Sequence, residues 1–319
     1  MNAQDQGRSI VFGTGPLGLA VMDELVARGR PVTLVNRSGQ VDELLPDDVE
    51  IVPGDATDPD QVAAICAEAG LVFHCAQPGY TNWPEQFPPI TQGILDGVSR
   101  TKARLVVSEN LYMYGPVSGP IREDLPYAAT TRKGKVRAEM ARTLLEAHQA
   151  GKVRVTIGRA SDFYGPRVLG SANVGDMLFD AALAGKTANL VGDLDQPHTY
   201  TYIKDFGRGL VTLGDHDEAL GQAWHVPSAE TITTRQFVEL VEGAVGRPVK
   251  VRAAGRWMLA IIGLFVPDAG EMKEMLYEFE EPFVVDHSKF EGAFGVDVTP
   301  HPQAILETLA WYRQRLSSE

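Results

Sequence analysis

Cysteine is scarce in this chain: 319 residues contain two, Cys66 and Cys75. No C-x-x-C occurs, so the sequence offers neither a disulfide framework nor a dithiol redox motif. Reduced thiols in a cytoplasmic setting are the expectation, with Cys75, inside an apolar run, a small buried hydrophobe. Positive charge is also in deficit, with 29 Lys and Arg against 42 Asp and Glu and a formal net charge of −13. That removes the basic footprint of a nucleic-acid-binding protein and any attraction to an anionic membrane surface; the acidity is expected to serve solubility. Long hydrophobic runs are missing. The longest, Trp257 to Val266, falls well short of the about 20 apolar residues that span a bilayer, and reads as a buried helix or part of a subunit contact. The first residues, Met1 to Gln6, are polar and lack the apolar centre of a signal peptide. His, Cys and carboxylates nowhere take metal-ligand spacing, so no metal is expected. There is no internal repeat and no low-complexity tract.

What is present is a globular composition, 44% apolar, and a glycine-rich turn, Gly13-Thr14-Gly15-Pro16-Leu17-Gly18. The turn lies between the apolar run Ser9–Phe12 and the helix-periodic run Leu19–Val26. Strand, tight turn and helix give a G-x-G-x-x-G pattern its meaning. The first glycine permits the turn, the second lets the backbone approach a pyrophosphate, and the third lets helix and strand pack closely. Free amides and the dipole at the helix start favour the phosphates.

Up to about residue 165 strand and helix signals alternate. Strands are expected at 10–13, 32–36, 49–53, 71–76, 104–108 and 154–159, most of them unbroken Val, Ile and Leu runs suited to a sheet buried on both faces. Helices are expected at 17–28, 59–69, 86–100 and 132–150. The sequence therefore predicts an α/β fold: a doubly wound parallel Rossmann sheet formed by residues 1–165, with chain returns from the C-terminal part allowed, and a smaller α+β substrate lobe at 166–319. In that lobe helices are expected at 173–184, 206–213 (capped by Asp205), 234–243 (capped by Thr233) and 302–316, the last burying Ala304, Ile305, Leu309 and Trp311. Short strands are expected at 187–191, 198–203 and 250–252.

The end of the second strand selects the nucleotide. A carboxylate there binds the ribose hydroxyls of NAD. Here the residues are Asn36-Arg37-Ser38, with a guanidinium and a hydroxyl suited to a 2′-phosphate, so NADP is expected and NAD is the alternative. Asp55, after the third strand, is placed to meet the adenine amino group or to cap the next helix, a role for which Asp58 is the better candidate.

Taken together these segments resemble the short-chain dehydrogenase/reductase superfamily, in its extended or atypical branch, which includes the NAD-dependent epimerase/dehydratase group. The resemblance runs over nearly the whole chain: Gly54-Asp55-Ala56-Thr57-Asp58, Val72–Ala76, Val106-Val107-Ser108 with Tyr114-Gly115, Arg159–Pro166, and Tyr202–Asp205. It implies that Ala56, Ala76, Gln77, Ala160, Ser161 and Phe163 line the cofactor along with the glycine turn, Asn36, Arg37, Ser38 and Asp55. It also exposes departures. Phe12 stands where extended members place their first glycine. The family's Tyr-x-x-x-Lys pair, which sits on one helix face, matches Thr131 and Lys135, so the lysine is kept and the tyrosine is lost. The family's substrate-orienting serine matches Asn110, whose amide can polarise a substrate oxygen.

Tyr112 is the most interesting replacement acid among the loop tyrosines 80, 112, 114, 127 and 164, with Tyr114 and Tyr164 expected to be structural. His74, His198 and His225 are expected to be structural, the last two in the second lobe. Tyr80 and Trp83 form either a pocket wall or a plug beneath the next helix. Glu271, Glu274, Glu278, Glu280 and Glu281 read as a solvated helix face. The expected activity is an NAD(P)-dependent oxidoreductase on a small carbonyl or alcohol substrate. Its alternatives are a sugar-nucleotide epimerase or dehydratase, and a non-catalytic NADP(H)-binding redox sensor. The expected partner is a small-molecule substrate; a homodimer is allowed, and the oligomeric state is left open by the sequence.

Overall fold

The computed structural model describes residues 7–170, 173–254 and 273–318. The run 257–266, Met1 to Gln6 and Glu271 lie outside them. The chain forms two compact units. The first takes the chain up to Glu109, then Arg132–Arg159 and Phe206–Val226; the second takes Asn110–Thr131, Ala160–Asp205 and the chain from Pro227.

The first unit is built on a seven-stranded sheet, ordered β3-β2-β1-β4-β5-β6-β11 and parallel throughout. Its strands are β1 (Arg8–Phe12), β2 (Val32–Asn36), β3 (Val49–Pro53), β4 (Ala69–His74), β5 (Arg104–Glu109), β6 (Arg154–Arg159) and β11 (Ala223–His225). Central strands are buried on both sides, as their continuous apolar runs require. The helices are α1 (Pro16–Ala27), α2 (Pro59–Ile65), α3 (Trp83–Val98), α4 (Arg132–Gln149) and most of α6 (Ile203–Asp215). This is the doubly wound Rossmann architecture, with the strand order reversing between β1 and β4. The carboxyl edge at such a reversal is where α/β sheets bind ligands.

Several elements differ from the sequence expectation. The fourth strand ends at His74, although Cys75 N still donates to Phe12 O (2.9 Å). The second helix stops at Ile65, because Ala69 is taken by the sheet as the partner of Arg8. The third helix starts three residues early, at Trp83, with Pro84 in its first turn, where a proline forfeits no hydrogen bond. His225 belongs to this sheet and not to the second lobe: β11 pairs with β6 and is fully buried.

The second unit contains three two-stranded sheets: β7 (Phe163–Tyr164) with β10 (Thr201–Tyr202), β8 (Ala188–Val191) with β13 (Val251–Ala254), and β9 (Pro197–His198) with β12 (Ile232–Thr233). The single strand expected at 198–203 is thus two, in different sheets. All of 198–203 is buried, so no alternation marked the break. α5 (Asp176–Ala184) starts later than expected, since the Asn173 amide is engaged with both backbone groups of Val191. α7 (Thr234–Val245) carries the expected Thr233 cap, completed into a box by Gln236. Asp205 is not a cap: α6 begins at Ile203, and the Asp205 carboxylate accepts from Thr299 N (2.7 Å) and Thr299 Oγ1 (2.8 Å). The last helix, His301–Ser318, buries Ala304, Ile305 and Leu309 as expected, but Tyr312 is the buried aromatic and Trp311 only half-buried. Among the described residues no helix is long and apolar enough to cross a membrane.

Candidate functional site

At the carboxyl edge of the first unit, β1 runs into the glycine turn. Gly13 has φ +102°, and a Cβ there would meet Ala76 N at 2.6 Å. A Cβ on Gly18 would lie 1.9 Å from Gly13 O, while one on Gly15 would have nothing within 4 Å. Two glycines are therefore demanded by close packing, and the third leaves a vacant approach to exposed backbone. Pro16 opens α1, with Leu17 half-buried behind it. The turn is fixed sideways by Asn36, whose Nδ2 donates to Thr14 Oγ1 (2.8 Å) and whose Oδ1 accepts from Gly39 N (2.7 Å). Arg37 and Ser38 beyond it are exposed, and the Ser38 hydroxyl donates to Asn36 Oδ1 (3.2 Å).

Past β3, Asp55 is exposed and accepts from Thr57 N (2.9 Å) and Thr57 Oγ1 (2.7 Å). Those two bonds hold its carboxyl below the usual range, and Arg37 contributes in the same direction. Asp58 is the residue that caps α2, accepting from Asp60 N and Gln61 N. Ala56 and Ala76 are half-buried and Gln77 exposed. These residues share one edge of one unit, and the donor set suits a dinucleotide: amides and a helix start for a diphosphate, a vacant glycine for close approach, and polar groups at the ends of β2 and β3.

α4 divides its lysines. Lys135 is exposed, on the same side as Glu139, Arg142 and Glu146. Lys133 is fully buried, its Nζ 4.3 Å above the Tyr80 ring. One turn on, Arg137 stacks over Trp83 (4.5 Å) and Phe87 (4.2 Å). Trp83 is 2% exposed and meets Tyr80 and Phe87 edge-on, so it is a plug beneath the helix and not a pocket wall. If the inward lysine marks the family position, the residue four before it is Ala129 and not Thr131.

His74 is buried, with Nε2 3.0 Å from Thr91 Oγ1, and burial with the Arg137 charge pulls its pKa to about 3. Burial pushes both thiols, Cys66 and Cys75, up to about 12. At the ends of β5 and β6 sits a pair that the sequence did not announce. Arg159 Nε donates to Glu109 Oε2 at 3.0 Å, both side chains are 0% exposed, and Glu109 Oε1 has no hydrogen-bond partner among the described residues.

In the second unit, Asn110 Oδ1 accepts from Tyr112 N (3.2 Å), a local turn bond, and Asn110, Tyr112 and Thr131 are half-buried. Tyr114 and Tyr164 are buried; the Tyr164 hydroxyl meets His301 Nδ1 at 2.8 Å, and burial first among causes raises its pKa well above the ordinary value. Ala160 and Ser161 are buried and Phe163 half-buried. Asp162, beside them, is bonded to His198 Nε2 at 2.9 Å, and His198 Nδ1 lies 3.1 Å from the Glu278 carbonyl. Glu278 is not part of a solvated face: it is 1% exposed, and its pKa is raised by burial and then by the Asp162 charge. Among the described residues no group of three His, Cys, Asp or Glu could hold a metal.

Sheet order, crossover and glycine turn define a nucleotide-binding protein of the doubly wound α/β class. The chain belongs to the NAD dependent epimerase/dehydratase family, which it matches over residues 10–226. It is 27% identical over 225 residues to a UDP-N-acetyl-alpha-D-glucosaminuronate decarboxylase of Bacillus cytotoxicus, covering 65% of this chain and 70% of that protein. It is 28% identical over 271 residues to a UDP-glucose 4-epimerase of Mycolicibacterium smegmatis, covering 76% and 83%. Its fold is similar to UDP-glucuronic acid 4-epimerase from Bacillus cereus, solved with UDP-glucuronic acid and NAD: TM-score 0.78, 18% identity, 97% of this chain and 99% of that one.

Proposed function

We propose that this protein binds a nicotinamide dinucleotide along the carboxyl edge of the seven-stranded sheet and uses it to transform a nucleotide-activated sugar by oxidation at a sugar carbon. The observation that carries the cofactor is the glycine turn, closed by Gly13 and Gly18 and open at Gly15. The amides of Gly13 to Gly18 and the start of α1 would hold the diphosphate, Asn36, Arg37 and Ser38 the adenosine ribose, Asp55 and Ala56 the adenine, and Ala76 and Gln77 the remainder. Lys133, the inward lysine of α4, is the ammonium assigned to the nicotinamide ribose in place of Lys135. From the second unit Asn110, Tyr112, Thr131, Ala160, Ser161 and Phe163 are assigned to substrate and nicotinamide. The bound cofactor supplies the hydride acceptor and donor.

Two relatives, a sugar-nucleotide decarboxylase and a 4-epimerase, favour a sugar nucleotide over the small carbonyl of the sequence reading, while two others are named as a sterol-carboxylate dehydrogenase and a hydroxysteroid dehydrogenase/decarboxylase. NAD is the form named in the similar structures. A second reading, NADP, is favoured by one feature, the exposed Arg37 at the end of β2, where Asn36-Arg37-Ser38 includes no carboxylate.

Calorimetric titration with NAD+ and NADP+, followed by incubation with UDP- and dTDP-sugars and product analysis, tests both levels. Uptake of a dinucleotide with sugar turnover is expected, together with loss of turnover in Lys133→Ala and its retention in Lys135→Ala. Loss in Lys135→Ala alone returns the role to Lys135. Dinucleotide uptake without turnover on any sugar nucleotide leaves the redox-sensor reading, and no uptake at all ends the proposal.

A further inference from the structure

We propose that Tyr80 is the positioning residue of Lys133: its ring face seats the ammonium that meets the nicotinamide ribose, and so tunes affinity for the nicotinamide half of the dinucleotide. The inference rests on the nucleotide-binding reading above and deepens it.

The observation is a ladder of cations and rings inside the first unit, to which all of its residues belong. Lys133 Nζ stands 4.3 Å above the Tyr80 ring, and Tyr80 meets Trp83 edge-on at 5.2 Å and 68°. The Arg137 guanidinium lies over Trp83 at 4.5 Å and over Phe87 at 4.2 Å. Spacing builds the ladder from two sides. Lys133 and Arg137 are four apart on α4 and therefore share a face. Tyr80 opens a single 3-10 turn, Tyr80–Asn82, that runs straight into α3. Side chains three apart in such a turn eclipse, and those four apart in an α-helix are neighbours. Tyr80, Trp83 and Phe87 thus line up along the side of α3 that packs on α4.

Burial distinguishes the rungs. Lys133, Arg137, Trp83 and Phe87 are buried, and Tyr80 is half-buried. Tyr80 is where the ladder reaches the surface, and Lys133 is the cation at that end. The loop that carries Tyr80 starts at the ligand edge of the sheet: four residues earlier, Ala76 N lies so near Gly13 that a Cβ there would meet it at 2.6 Å. The ring over Lys133 is therefore tied through β4 and its loop to the glycine turn.

A ring suits this task. An ammonium taken out of water needs a compensating partner. A carboxylate would supply one, but it would also cancel the charge and accept the hydrogens that a ribose needs. The quadrupole of an aromatic face attracts the cation without doing either. Lysine has large rotamer freedom, and a seat on a ring held edge-on by Trp83 removes part of it before the ligand arrives. The ammonium then presents full charge and oriented donors to the ribose hydroxyls. The phenol hydroxyl has no part in this, so phenylalanine should serve in its place.

The test is calorimetric uptake of NAD+ and NADP+ by the full chain, with ADP as a probe that has the adenosine and the diphosphate but no nicotinamide ribose. Tyr80→Leu should weaken dinucleotide uptake by about 10- to 30-fold and leave ADP uptake unchanged, and Tyr80→Phe should restore the wild-type affinity. In a Lys133→Met background Tyr80→Leu should have no further effect. In proton NMR of the cofactor-free chain, the ring current should shift the Lys133 ε-methylene upfield in wild type and Tyr80→Phe, and not in Tyr80→Leu. Equal weakening of ADP and dinucleotide, the same loss with and without Lys133, or no upfield shift in wild type overturns the proposal. Dinucleotide uptake that Tyr80→Leu leaves unchanged ends this role alone, whereas no uptake by wild type ends the proposed function and this role with it.

Discussion

At the scale of single residues, the most consequential choice is the ion pair sealed between the ends of β5 and β6. Glu109 and Arg159 are opposite one another in the ladder and have no exposed side-chain surface. Removing Glu109 takes a buried carboxylate away from a buried guanidinium, and breaking such a pair costs about 3–5 kcal/mol, whereas an apolar pair of similar volume is often tolerated. Chemical denaturation should therefore show Glu109→Ala strongly destabilised and Glu109→Leu/Arg159→Met recovering most of the loss; equal losses in single and double variants would refute this. Such pairs were not legible in the sequence. Glu109 and Arg159 each read as the polar end of an apolar strand, and nothing in a linear pattern couples positions fifty residues apart. The same blindness hid His198, Asp162 and Glu278. By contrast, Gly13, Gly18 and Asp58 were legible, because their roles depend on neighbours within a few positions.

Elements carry the next level of constraint. α3 contacts α2 and the loop before it through glycines: a Cβ on Gly93 would stand 2.4 Å from Ala56 O and 2.7 Å from Thr57 C, both backbone atoms that cannot swing aside. Gly93→Ala should cost about 1–3 kcal/mol by overpacking, although alanine is the better helix former. An unchanged or raised denaturation midpoint would show that the backbone yields. Element type and order were legible from the sequence because six apolar strands are separated by periodic helices. Ends were less so where a tertiary partner captured a residue, as β1 captured Ala69 and Thr299 engaged Asp205. Helix face is legible from spacing alone, which places Lys135 with Glu139, Arg142 and Glu146, and Lys133 with Arg137, as the structure sorts them.

For the molecule as a whole, two buried groups give stability opposing dependences on acid. His74 stays neutral when folded, since its pKa falls from 6.5 to about 3. Below about pH 6.5 the unfolded chain takes a proton that the folded chain refuses, so stability drops by about 1.4 kcal/mol per unit as pH falls. Glu278 is raised well above 4.5. Above about pH 4.5 the unfolded chain releases a proton that the folded chain keeps, so stability drops as pH rises. Between those values the two groups act in opposite directions. Glu278→Gln should uncover a loss of stability on acidification through that window, and His74→Gln the reverse; parallel curves for wild type and both variants would contradict it. The chain also visits its first unit in three separate stretches, and the edge strand β11 comes from the last of them. A ribosome has thus finished β6 long before it makes the strand that covers it. In the interval a nascent chain presents an open row of amides and carbonyls, an invitation to pair with another molecule, so this protein's yield during synthesis depends on holding that row apart until Ala223 emerges.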